Sequence, residues 1–184
     1  GSYVAPDWSA DWLHREATAL LELWAQRDSG KAYADLDAVQ QAGLQARLQQ
    51  TMRENTYDPA TGVITVDADR AQAIRQVNDH YMRLFGPDVE LNTLRAQYAI
   101  QQNPIPDVEQ RQAMMAFFFW TSWSASTNRP DNTITYTSNW PSEPLVGNVP
   151  TTSTYLWTFI SIFGLLAGVG ALAWYYVATH GQEP

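Results

Sequence analysis

The sequence is that of a mainly α-helical domain with one small β-hairpin, followed by a single membrane-spanning helix. Apolar residues recur at helical spacing through most of residues 7–126. Asp, Gly and Pro punctuate that pattern where helices start and stop. Residues 155–178 then carry no charge at all, a length that core helices seldom reach without one.

The first helix runs from Asp7 to about Asp28. Trp8, Trp12, Ala17, Leu20, Leu21 and Trp24 share one face, Asp7 is a good N-cap, and Ser29-Gly30 supplies the stop. The three tryptophans read as core packing rather than as a cofactor stack. A second helix covers Asp35 to about Glu54, with a thinner stripe of Leu36, Val39, Leu44, Leu48 and Met52. Asp58-Pro59 and Thr61-Gly62 are turn chemistry, and Val63, Ile64 and Val66 favour extended backbone, which predicts the hairpin.

The third helix spans Asp67 to Phe85, buries Ile74, Val77, Tyr81, Leu84 and Phe85, and ends at Gly86-Pro87. A fourth, from Asp88 to about Gln102, is closed by Pro104 and Pro106. The fifth opens on Asp107, with Gln110 as capping-box partner. From Ala113 to Trp120 it is apolar on every side, which predicts the central buried helix. After Ser126 the periodicity stops. "TITYT" (Thr133–Thr137) fits a short strand, and the rest is irregular and proline-spaced. The organisation expected is a helical domain over 1–127, a linker at the membrane surface over 128–152, a transmembrane helix over 153–178 and a tail over 179–184.

The uncharged run has the marks of a span through membrane lipid. Tyr155 and Trp157 stand at one end and Trp174, Tyr175 and Tyr176 at the other, as an aromatic belt requires. Gly164 and Gly168 form a G-x-x-x-G, which suits either a homodimer or packing on a neighbouring helix.

Charge and composition exclude several classes. The 184 residues hold 11 Lys and Arg against 19 Asp and Glu, a net charge of −8. An acidic surface disfavours nucleic acid, whose phosphates need cations to replace counterions. There is no cysteine, so disulfides, thiolate zinc sites, iron–sulfur clusters and thioether-linked haem are excluded. The start "GSYVAPDW" lacks the basic and apolar regions of a signal peptide and begins without Met, as a processed or excised form would.

His14, His80 and His180 have no second ligand at metal spacing and read as surface or interfacial residues. Asp35-x-Asp37 and Asp67-x-Asp69 read as helix caps rather than calcium loops. Glu143, the one charge in the stretch Thr137–Thr152, reads as solvated, with a cation contact as the alternative; Trp140 and Leu145 read as anchors of the stretch to protein or to the membrane interface. No phosphate loop, nucleophile elbow or nucleophile–base pair is visible. On these grounds the chain is no enzyme by itself. A membrane-tethered sensor or ligand-binding domain and a structural anchor both fit.

Two stretches narrow the choice. "GSYVAPDWSADWLHREA" and "NRPDNTITYTSNWPSEPLVGNVPTTSTYLW" together resemble the N-terminal region of the bacterial quinol-dependent nitric oxide reductases. The resemblance extends from Gly1 to about Tyr176. It implies a cytochrome c-like fold without haem, facing the periplasm and fused to a haem-copper-oxidase-like catalytic region of the same polypeptide in the cytoplasmic membrane. The implied whole enzyme reduces two NO to N₂O and water with electrons from quinol, using two haems b and a non-haem iron. Gly1-Ser2-Tyr3 resembles a Gly-x-Tyr that helps bind a structural calcium, so Gly1 and Tyr3 are the metal-site residues the resemblance implies; it implies no catalytic residue in this chain.

Overall fold

Aspartate side chains start four of the helices. Asp7 accepts the backbone N–H groups of Ser9 (3.0 Å) and Ala10 (3.1 Å) and opens α1, Trp8–Ser29, which Gly30 closes in the left-handed conformation. Asp37 and Gln40 form a reciprocal capping box at the start of α2, Ala38–Arg53. Strands β1 (Tyr57–Asp58) and β2 (Val63–Ile64) pair antiparallel, Tyr57 opposite Ile64. Asp67 caps α3, Ala68–Leu84, through the Arg70 N–H at 2.7 Å. A 3-10 turn at Val89–Leu91 leads into α4, Asn92–Gln97. Asp107 caps α5, Val108–Ser126, and α6 is Thr152–His180. These elements come from a computed structural model that describes residues 6–180. The chain divides into two units, Gly1–Val149 and Pro150–Pro184.

Several expectations need correction. The second helix begins at Ala38 because Tyr33–Asp35 turns as a 3-10 helix and Asp37, not Asp35, is the cap. Val39 consequently points to solvent, 82% exposed. The fourth helix has six residues. It stops because Ala99 adopts a left-handed φ of 55° and the Ile100 N–H bonds back to the Arg95 carbonyl at 2.9 Å. That is a Schellman ending with alanine where glycine is usual, so no glycine marks it in the sequence. "TITYT" contributes one isolated bridge, Asn128 to Thr135, instead of a strand. At α5 the Asp107 carboxylate accepts from Glu109 and Gln110, and Gln110 makes no reciprocal bond.

The central helix of the first unit is α1, not α5. Helix α1 packs on α2, α3 and α5 and buries Trp12, Leu13, Glu16, Ala17, Leu20, Leu21, Trp24 and Ala25. Around it Leu48, Met52, Ala73, Ala125 and Val146 complete one apolar cluster. Val77, Tyr81, Leu84, Phe85, Met115 and Phe118 join Trp12 in a second. Helix α5 has neighbours on one side only, so Phe117 and Trp120 are 57% and 53% exposed despite the apolar sequence around them.

Residues 128–149, which the sequence marks as linker, lie within this first unit. Val146 and Asn148 are fully buried, and Leu145 packs on the first apolar cluster. Trp140 is 51% exposed, so burial within this unit does not pin it.

In the second unit α6 has 29 residues, about 43 Å of helix. Its mean hydropathy over an 18-residue window is 2.0 and none of it is buried. It is long and apolar enough to cross the ~30 Å hydrocarbon layer of a bilayer.

Candidate functional site

Gly1 and Tyr3, the implied calcium residues, lie outside the described residues. Among the described residues no group of three or more His, Cys, Asp or Glu side chains is placed to hold a metal.

His14 does have a partner. Its Nδ1 lies 2.8 Å from Oε2 of Glu143, 129 residues away. Glu143 is buried rather than solvated, and its other oxygen accepts the Leu145 N–H at 3.0 Å. The carboxylate therefore ties α1 to the short 3-10 turn Pro144–Val146.

A polar cleft runs between α1 and α3. Asp11, His14, Arg15, Glu22, Gln76 and His80 line it, and its volume is about 480 Å³. Beneath it the Tyr81 hydroxyl donates to Asp11, and Arg15 Nε donates to the same carboxylate at 2.7 Å. Burial, reinforced by that carboxylate, pushes the Tyr81 phenol up, so it stays a protonated donor. Burial and the Arg15 charge lower His80, which leaves its imidazole neutral near pH 7. With the Tyr81 hydroxyl engaged by Asp11, the cleft presents polar side chains beside Ala19 and Val77 and no poised nucleophile among the described residues.

Arginines, two of them fully buried, hold the unit together. Arg70 Nε donates to Glu16 at 2.7 Å, and Trp12 Nε1 donates to the other Glu16 oxygen at 3.0 Å. Arg95 donates to the carbonyls of Leu84 (2.7 Å), Arg83 (2.7 Å) and Gly86 (2.8 Å), closing the C-terminal end of α3. Arg53 reaches the stretch 128–149: Nη1 meets the Val146 and Gly147 carbonyls and Asn148 Oδ1 at 3.0–3.3 Å, and Nη2 meets the Thr133 carbonyl at 2.7 Å and Asn139 Oδ1 at 3.2 Å. Sequence reasoning passes over these residues. For Glu16 and Arg70 a signal exists: Glu16 sits four residues from Trp12 and from Leu20, and Arg70 lies on the stripe of Ala73, Val77 and Tyr81. For Arg53 and for the contact of Glu143 with His14 the partners are 80 or more residues away, and no local pattern marks them.

The interior also bears on cofactors. Trp8, Trp12, Tyr81, Phe85 and Phe118 fill the space between α1, α3 and α5, with ring centroids 5.4–6.3 Å apart. Trp12 and Trp24 are fully buried core residues, and Trp8 lies at the edge of the same packing. A thioether-linked haem does not fit this unit: its attachment needs cysteine and the chain has none.

A family model for the NorB cytochrome c-like domain of nitric oxide reductase matches residues 1–142. No curated protein matches the chain. The match spans 142 of the 184 residues and takes in α1 to α5 with their hairpin. The chain therefore belongs to the NorB family of nitric oxide reductases, and its first unit carries that family's cytochrome c-like domain.

Proposed function

We propose that the chain is the N-terminal portion of a membrane-bound nitric oxide reductase that draws its electrons directly from quinol. The reaction joins two NO with two electrons and two protons to give N₂O and water. Two haems b and a non-haem iron belong, on this reading, to the downstream haem-copper-oxidase-like region of the same polypeptide. The first unit is a haem-free scaffold on the periplasmic side of the bacterial inner membrane, and α6 crosses back toward the cytoplasm. Gly1 and Tyr3 would offer carbonyl oxygens to a structural calcium, a hard cation that such ligands suit.

The observation that carries the reading is a cytochrome c-like domain without a single cysteine. Such a domain has no thioether-linked haem to receive electrons from a soluble donor. A donor dissolved in the bilayer supplies electrons without that relay. The remaining work of the domain is mechanical, which agrees with its buried ion pair, its arginine clamps and its aromatic-filled interior.

The test is to express the native full-length protein and this chain in parallel. The full-length product should show a haem b spectrum in membranes and consume NO with quinol; this chain alone should do neither. A full-length product that binds no haem and removes no NO overturns the reading.

A further inference from the structure

A small hollow opens where the hairpin leaves α2 and enters α3. Its volume is about 290 Å³. Thr51 and Glu54 come from the end of α2, Thr56 and Thr65 from the two feet of the hairpin, and Asp67 and Arg70 from the start of α3. The Thr65 N–H donates to the Thr56 carbonyl at 3.3 Å, which holds the two feet together. All of these residues lie in the first unit, so the hollow stands whether or not α6 crosses a membrane.

Donors without acceptors mark the hollow. Arg70, which lines it, is 2% exposed. Its Nε is taken by Glu16, its Nη1 reaches the Thr51 carbonyl only at 3.5 Å, and its Nη2 has no acceptor among the described residues. Thr56 Oγ1 is likewise buried and unpartnered. A buried donor left without an acceptor is costly. The unused side of a guanidinium fork matches a carboxylate, which it can hold with two parallel hydrogen bonds.

Carboxylates stand on the same hollow. Glu54 and Asp67 line it and are exposed. Among the described residues, the carboxylate within ion-pair distance of Arg70 is that of Glu16. These charges decide the ligand. Glu16 already balances Arg70, so Glu54 and Asp67 leave the hollow net negative and repel a bare anion. A bare cation would leave the Arg70 and Thr56 donors unpaired. A ligand with a carboxylate at one end and an ammonium at the other satisfies both sets. The volume is at the small end for a ligand pocket, so the rest of the ligand is small, and Val66 gives it an apolar wall.

We propose that this hollow binds a small free α-amino acid, of the size of glycine or alanine. Its carboxylate accepts from Arg70 Nη2 and Thr56 Oγ1, and its ammonium donates to Glu54 and Asp67. Bound there, it ties the end of α2, the hairpin and the start of α3 together. The site goes beyond the scaffold role and needs none of the redox chemistry of the whole enzyme.

The test uses the whole chain, ¹⁵N-labelled, in detergent micelles. Glycine is titrated at millimolar concentration, with its two halves, acetate and methylammonium, in parallel. The expected result with glycine is a saturable shift of the Thr56, Thr65 and Arg70 amide signals and of the Arg70 Nε–H signal. Either half alone should bind several-fold more weakly. Glu54→Gln changes an exposed side chain, so the fold should stand. It should weaken glycine several-fold and strengthen acetate, because the ammonium loses a partner and the anion loses a repulsion.

No saturable shift with glycine overturns the proposal. Acetate binding as tightly as glycine overturns it in favour of a simple anion site, and methylammonium doing so overturns it in favour of a cation site. An unchanged ratio of glycine to acetate affinity in Glu54→Gln overturns the pairing of the ammonium with Glu54, and the zwitterion with it.

Discussion

Arg70 and Glu16 meet at 2.7 Å with side chains 2% and 0% exposed. Removing one partner of such a pair strands the other charge in a low-dielectric interior, at a cost of about 3–5 kcal/mol. Arg70→Met should therefore lower the denaturant midpoint of the chain in detergent sharply. Adding Glu16→Gln, which still offers Trp12 an acceptor, should recover most of the loss; no recovery would mean that packing, not stranded charge, sets the cost. His80 acts through pH. Burial and Arg15 hold its folded value below the ordinary 6.5, so the unfolded chain takes the proton first. Its contribution is fully present above pH 6.5 and is lost as pH falls below that value. The drop in thermal midpoint from about pH 7.5 to about pH 5.5 should shrink in His80→Gln; an unchanged drop contradicts the assignment.

The elements show where local chemistry suffices and where it does not. The caps Asp7, Asp67 and Asp107 and the stop at Gly30 were legible because capping is decided within three or four residues. The end of α4 was not, since Ala99 takes the left-handed position that glycine normally marks. Helix α5 could not be oriented from its sequence: residues apolar on every side do not say which side has a neighbour. The stretch 128–149 read as linker because the groups that hold it, Arg53 and His14, belong to distant helices. Arg53→Ala removes five hydrogen bonds at once. Limited proteolysis should then cut between residues 129 and 147 much faster than in the parent chain, while far-UV circular dichroism still shows the helices. Equal cleavage rates would show that Val146 and Leu145 hold the stretch without the clamp.

At the scale of the whole molecule, two units with opposite solvent preferences are joined in one chain. The first is an acidic, helical unit with a packed aromatic interior, and the second is an apolar helix with no buried residue. That contrast is legible from composition alone, because about 20 uncharged apolar residues fit a bilayer better than a small domain core. The candidate site was less legible. Gly1 and Tyr3 fall outside the described residues, and the cleft at Asp11 and His80 forms only when α1 and α3 pack. Family membership narrows the function to nitric oxide reductase chemistry, and the missing cysteines bear on how electrons enter. The most direct measurement is NO consumption by membranes holding the native full-length protein, supplied in turn with quinol and with reduced soluble cytochrome c. Rapid consumption with quinol and none above background with cytochrome c is the predicted result. Consumption driven by cytochrome c, with quinol inert, would contradict it.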